Sequence, residues 1–185
     1  DIILQHLASA EAVLTDDEKE LGCALIDIGG GTTDIAVFSQ GCIRSCAVLP
    51  IGGNHITSDI AIGIRTPLAE AEELKRDFGN ACPEQISQDD MVEIACIGEQ
   101  GRRKVSKNML ARIIHARIEE TMGLVQKELD VSSFIDDLPA GVVITGGSAL
   151  LKGIGDVAHG ILGMPVRIGA AADVGGLNDV RSPQY

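Results

Sequence analysis

Eight consecutive residues, Asp27-Ile28-Gly29-Gly30-Gly31-Thr32-Thr33-Asp34, set three glycines and two hydroxyls between two acids. Successive glycines let backbone amides approach a phosphate closely, and Thr32 and Thr33 add hydroxyl donors. The acids would repel phosphate directly, so Asp27 and Asp34 make chemical sense with a divalent cation between them and a nucleotide. A second turn, Gly146-Gly147-Ser148, closes the apolar run GVVIT at 141–145. Alone it is a common strand-to-helix turn; beside the first motif, its backbone donors suit an adenosine or a phosphate oxygen. Glu72, Lys75 and Arg76 stand at i, i+3 and i+4, on one helix face, a spacing that fits a surface ion pair or a grip on a ligand.

These motifs need elements that hold them in place. Residues 23–28 (CALIDI) form a continuous apolar run and predict a buried strand. Gly29 to Gly31 break it, strand chemistry resumes over 32–38, and Ser39-Gln40-Gly41 turns the chain into a third strand at 42–49. Tight turns of this kind predict an antiparallel meander, closed by Gly52-Gly53. Ahead of it, residues 2–14 predict a helix and 16–20 a solvated acidic turn. After it come helices at 56–64 and 68–78, a polar loop at 83–90, a strand at 91–97 and a long helix at 106–129. A strand at 141–145, a helix at 148–162, a strand at 164–168 and a small-residue linker at 169–176 follow. This order predicts an α/β domain made of residues 1–55 and 136–185, with a smaller α+β unit, 56–135, inserted between its halves. Ligands favour the cleft at such a junction.

Composition narrows the classes of function. The chain has 185 residues and a formal net charge of −12; 45% of residues are apolar and 2% aromatic. An acidic chain without stacking platforms is unsuited to nucleic acid. No apolar stretch is long enough to span a bilayer, and no leader opens the sequence. Its first residue is Asp1 rather than Met, which reads as a piece of a longer protein. Cys23, Cys42, Cys46, Cys82 and Cys96 lie among apolar residues without zinc spacing, and are expected to be buried, reduced thiols of a cytosolic protein. His6, His55, His115 and His159 show no ligand spacing and are expected at surfaces or helix caps.

One basic run stands out. Between positions 102 and 117 there are six basic residues, Arg102, Arg103, Lys104, Lys107, Arg112 and Arg117, and no acid. Five of them fit a solvated face. Arg117 projects between Leu110 and Ile113, inside the apolar arc of the predicted helix. An arginine there needs a carboxylate, supplied either by its own chain or by a partner.

DIGGGTTD (27–34) and GVVITGGSALLKG (141–153) resemble the actin, heat-shock-chaperone and sugar-kinase ATPase superfamily. LASAEAVLTDDEKELG (7–22), PIGGNHITSDIAIGIRTPLAEAEELK (50–75) and GLNDVRSPQY (176–185) resemble the FtsA family of bacterial cell-division proteins over the whole chain. The resemblance implies an actin/RNase H-like mixed sheet with flanking helices, corresponding to subdomain IIA (1–55 and 136–185) and the inserted subdomain IIB (56–135). It implies ATP and Mg2+ as ligands. Asp27 and Asp34 would hold the metal, Gly29, Gly30, Gly31, Thr32 and Thr33 the terminal phosphates, and Gly146, Gly147 and Ser148 the adenosine. Gly52 and Gly53 belong to the same nucleotide site, and Glu72, Lys75 and Arg76 match a chaperone triplet on adenine and ribose. Glu11 falls where the superfamily orients the attacking water; its alternative role is a surface glutamate. With one lobe of the cleft, ATP turnover by this chain is expected to be negligible.

The same resemblance implies partners. The carboxy-terminal tail of FtsZ is expected at subdomain IIB, against Arg102, Arg103, Lys104, Lys107, Arg112, Ile113 and Arg117. The whole protein is expected to assemble into actin-like filaments and to meet other division proteins at the cytoplasmic face of the inner membrane, at the septum. The membrane would be reached only through a carboxy-terminal helix outside this sequence. The rival expectations are a phosphotransferase or chaperone ATPase of the superfamily, and a different bacterial actin-like scaffold.

Overall fold

The computed structural model of the chain describes residues 3–95, 101–132 and 138–171. Its centre is a five-stranded mixed sheet in the order β3-β2-β1-β6-β7. β1 (Cys23–Ile28) runs antiparallel to β2 (Thr33–Ser39), which runs antiparallel to β3 (Cys42–Leu49). On its other side β1 is parallel to β6 (Val142–Thr145), and β6 to β7 (Val166–Ile168). The continuous apolar runs of β1 and β6 mark them as interior strands covered on both faces.

Side chains alternate across that sheet and divide the core in two. Cys23, Leu25, Ala36, Phe38 and Val143 pack with Ala10 and Val13 of α1 (Gln5–Val13). Ala24, Ile26, Ile28, Ile35 and Val37 face the larger cluster. That cluster is built with α3 (Gly53–Gly63), α4 (Leu68–Phe78), α5 (Lys107–Ser132) and α6 (Ile154–Leu162). α5 contributes Leu110, Ile114, Ile118, Met122, Val125 and Leu129, all buried at helical spacing. Burying an aliphatic side chain of this size contributes about 1.5–3 kcal/mol, so this one stripe anchors the helix.

The expected meander is present with Asp27 and Asp34 in register across β1 and β2. Its tip turns through Gln40 and Gly41, with φ of 54° and 69°. Several local expectations are corrected. The acidic stretch after residue 14 is α2 (Asp16–Leu21): Thr15 Oγ1 accepts from Glu18 N and Glu18 Oε2 from Thr15 N, closing a capping box. The helix expected over 148–162 is instead a 3-10 turn, Gly147–Leu150, followed by α6, because Gly153 takes a left-handed φ of 76° between them.

A strand absent from the sequence reading, β5 (Arg102–Ser106), pairs antiparallel with β4 (Met91–Ala95). Arg102, Arg103 and Lys104 therefore precede α5 and do not belong to it. The far end of the strand expected over 91–97, Cys96, and the linker beyond 171 lie outside the described residues. Cys23 and Cys82 are buried as expected, but Cys42 and Cys46 are exposed. β3 is an edge strand with alternating exposure, so its odd and even positions cannot both face the core. Among the described residues, no helix is long and apolar enough to cross a membrane.

Candidate functional site

β1 and β6 are adjacent and parallel, so the glycine turns that follow them emerge at the same edge of the sheet. A cleft of about 590 Å³ opens there. Gly29, Gly30, Gly53, Gly147 and Ser148 line it from the sheet side; Glu72, Lys75 and Arg76 line it from α4. Asn54 and Lys152 join them, and neither was singled out by sequence reasoning.

Backbone proximity shapes this cleft. Gly53 N donates to Gly29 O at 2.9 Å and Asn54 N to Gly30 O at 2.8 Å, laying the start of α3 against the first loop. A Cβ on Gly52 would stand 2.7 Å from Gly29 O, so Gly52 and Gly53 work by their smallness. Gly146, at φ 88°, passes so close to Asp27 that a Cβ would meet Oδ1 at 2.4 Å. Gly31 and Gly147, by contrast, face open space. Ser148 Oγ donates to Gly29 O at 3.4 Å, joining the two turns.

Asp27 is held from α1 and Asp34 from its own loop. Asp27 Oδ2 accepts from Ser9 Oγ at 2.9 Å and from Gln5 Nε2 at 3.4 Å. Asp34 Oδ2 accepts from Thr32 Oγ1 at 3.0 Å, and His6 Nε2 lies 3.6 Å from Asp34 Oδ1 without forming a hydrogen bond. Two carboxylates side by side at a strand end suit a hard cation that takes its remaining oxygens from water and phosphate.

Three expected roles change. Thr33 is fully buried and its hydroxyl donates to Ile51 O at 2.8 Å, so it supports the loop and offers no donor to a ligand. Glu11 does not line the cleft: its side chain is 77% exposed and accepts from Lys19 Nζ at 2.8 Å. The helix residues that do reach the acids are Gln5, His6 and Ser9, one turn earlier. Their spacing of i, i+1 and i+4 on α1 was the available sign. His6 accordingly sits beside Asp34 rather than at a surface or cap. His55 does cap, its Nδ1 accepting from Gly52 N at 3.1 Å.

On α4, Lys75 Nζ donates to Glu72 Oε2 at 2.7 Å, to Thr57 Oγ1 at 2.9 Å and to Gly53 O at 3.1 Å. Thr57 Oγ1 stands 2.5 Å from Glu72 Oε2. Burial alone would raise the Glu72 carboxyl, but the hydrogen bonds from Lys75 and Thr57 outweigh it and hold the group below its usual value.

The basic run does not form one surface. Arg102, Arg103 and Lys104 are exposed on β5, with Arg103 Nη2 donating to Ile64 O. Lys107 lies over the Phe78 ring at 4.8 Å, Arg112 Nε donates to Asn108 Oδ1 at 3.1 Å, and Ile113 packs partly buried against the core beneath Gly63. Arg117 finds its carboxylate within the chain. Nε donates to Asp59 Oδ2 at 2.5 Å and Nη2 to Asp59 Oδ1 at 2.8 Å, with Glu120 taking Nη1 at 2.6 Å. The hydrogen bonds to Asp59 raise its pKa against the opposing effect of burial.

Solved structures share this fold. MreB5 of Spiroplasma citri bound to ADP matches at a TM-score of 0.72 and 25% identity, over 93% of this chain and 54% of that one. The ethanolamine utilization protein EutJ of Carboxydothermus hydrogenoformans matches at 0.64 and 26%, over 88% and 47%. A mixed sheet with a glycine-lined cleft at its edge thus has the actin-like fold. The family model for cell division protein FtsA matches residues 24–185. The cell division proteins FtsA of Neisseria meningitidis and Pseudomonas aeruginosa are 48% and 46% identical over all of this chain and 45% of their own length. That of Bacillus subtilis is 45% identical over 41% of its length. The chain belongs to the FtsA family, and it spans less than half the length of these relatives.

Proposed function

We propose that this chain is the nucleotide-gripping half of an FtsA-type division adaptor, binding ATP with Mg2+ in the cleft between the sheet edge and α4. The observation that carries this reading is the convergence of both glycine turns, the start of α3 and Lys75 on one cleft of about 590 Å³, a volume typical of small-molecule sites. Asp27 and Asp34 would hold the cation, which would neutralise phosphate charge. Gly29, Gly30 and Gly31 would receive the phosphates, Gly147 and Ser148 the nucleoside, and Glu72 and Arg76 its sugar and base. Gln5 and Ser9, not Glu11, are the α1 side chains that reach Asp27, and Gln5 would orient water there. The ADP bound by MreB5 supports the same ligand class for a related cleft.

In the whole protein this half would serve attachment. The unit built of residues 56–135 would act as subdomain IIB and receive the FtsZ tail at the septal membrane face, while the remainder, IIA, would take part in filament formation and contacts with other division proteins. Arg102, Lys104 and Arg112 remain exposed for an acidic tail, whereas Arg117 is closed by Asp59. Calorimetric titration of the full-length protein with ADP, with and without Mg2+, tests the site. Asp27→Ala is expected to weaken Mg2+-dependent binding by about tenfold or more, since a hydrogen bond or contact to a charged group is worth about 1.5–3 kcal/mol. Unchanged affinity with Mg2+ would remove Asp27 from the site.

A further inference from the structure

All three protons of the Lys75 ammonium are taken within the protein, by Gly53 O, Thr57 Oγ1 and Glu72 Oε2. A lysine so occupied is a clamp rather than a free donor. Thr57 is buried, does not line the cleft, and has one hydroxyl proton. That proton has two acceptors in reach: Gly53 O at 3.1 Å, already served by Lys75, and Glu72 Oε2 at 2.5 Å. The shorter contact, to a charged acceptor, is the stronger. Glu72 Oε2 therefore receives two donors from behind. Oε1 has no hydrogen bond among the described residues, and the side chain, 41% exposed, lines the cleft.

We propose that Thr57 is a positioning residue for nucleoside recognition: with Lys75 it pins Glu72 through Oε2 and leaves Oε1 to accept a sugar hydroxyl. The proposal rests on the nucleotide reading above, in which Glu72 meets the sugar, and adds the residue that fixes Glu72 for that contact. A carboxylate held by one donor can swing; one held by two keeps the orientation that a hydroxyl needs, and a site built to bind a hydroxyl discriminates against ligands lacking it.

The test titrates the full-length protein with ADP and with 2′,3′-dideoxy-ADP, both with Mg2+, and compares the ratio of dissociation constants. The natural protein is expected to prefer ADP by about tenfold or more. Thr57→Val, close in shape but without the hydroxyl, is expected to reduce that ratio to about threefold or less, and Thr57→Ser to keep it. A purely structural threonine would weaken both ligands alike and leave the ratio intact, which would overturn the proposal. Should the valine protein fail to fold, Thr57→Ala gives the same comparison. A natural protein that binds both nucleotides equally also overturns the proposal while sparing the nucleotide site. A protein that binds neither brings down both.

Discussion

Arg117→Met is expected to destabilise the protein and to leave the proposed binding of an FtsZ tail unchanged. The guanidinium makes a two-point contact with Asp59, and the two side chains are 22% and 26% exposed. An exposed pair contributes about 0–1 kcal/mol. Breaking a buried pair by removing one partner costs about 3–5 kcal/mol. A pair at this depth falls between, at about 2 kcal/mol, because Asp59 keeps partial access to water; Glu120, more exposed still, adds little. For a chain of this size about 2 kcal/mol lowers Tm by roughly 4–8 °C. The matching change, Asp59→Asn, should cost less, since the arginine retains Glu120. The double variant should recover part of the sum, with a coupling of about 1 kcal/mol or more. The assay is a thermal melt of each variant followed by titration with a synthetic FtsZ tail peptide. A melt unchanged from the natural protein together with loss of tail binding would refute the reasoning, and would mean that the arginine is held for a partner carboxylate.

Two further expectations concern the frame of the site. Arg167 binds Glu18 through Nε and Nη2 at 2.5 and 2.7 Å and Val13 O at 2.9 Å, fastening α1 and α2 to β7. The hydrogen bond from Arg167 holds the Glu18 carboxyl below its ordinary 4.5, so this stabilisation is complete above that value and is lost as pH falls through the lower native pKa. Glu18→Gln should thus lower the urea midpoint near neutrality and narrow its distance from the natural protein as the pH drops below 4.5; a constant gap would count against the clamp. Gly146→Ala sets a methyl against Asp27 Oδ1 at a left-handed φ, and should cost about 1–3 kcal/mol in denaturant unfolding; a neutral result would show that the turn can move.

Local chemistry made much of this molecule legible without coordinates. β1, β3 and α4 begin and end at the residues expected, because a continuous apolar run, a strand between glycine turns and a helix between Pro67 and Gly79 are each bounded by their own neighbours. The glycine turns converge as their strand-ending positions predicted, since adjacent parallel strands deliver their carboxyl ends to one edge. The helical arc correctly singled out Arg117 as an arginine in need of a carboxylate. Which carboxylate it meets was a question of tertiary structure. Asp59 lies 58 positions away on another helix, and no periodicity in α5 refers to it. For the same reason Glu11 and Gln5 could not be ranked on sequence: both lie on α1, and only the packing of that helix on Asp27 turns Gln5 and Ser9 toward the acids and Glu11 toward Lys19. β5, a charged segment with Val105 as its one buried residue, carries almost no strand pattern and is defined by pairing with β4. The Thr33 hydroxyl reads in sequence as a donor to a ligand, yet the fold gives it to Ile51 O, and nothing in the sequence joins Thr57 to Glu72. Element type follows from interactions a few residues apart, whereas a side chain's partner depends on segments that only the folded chain brings within 3 Å or so.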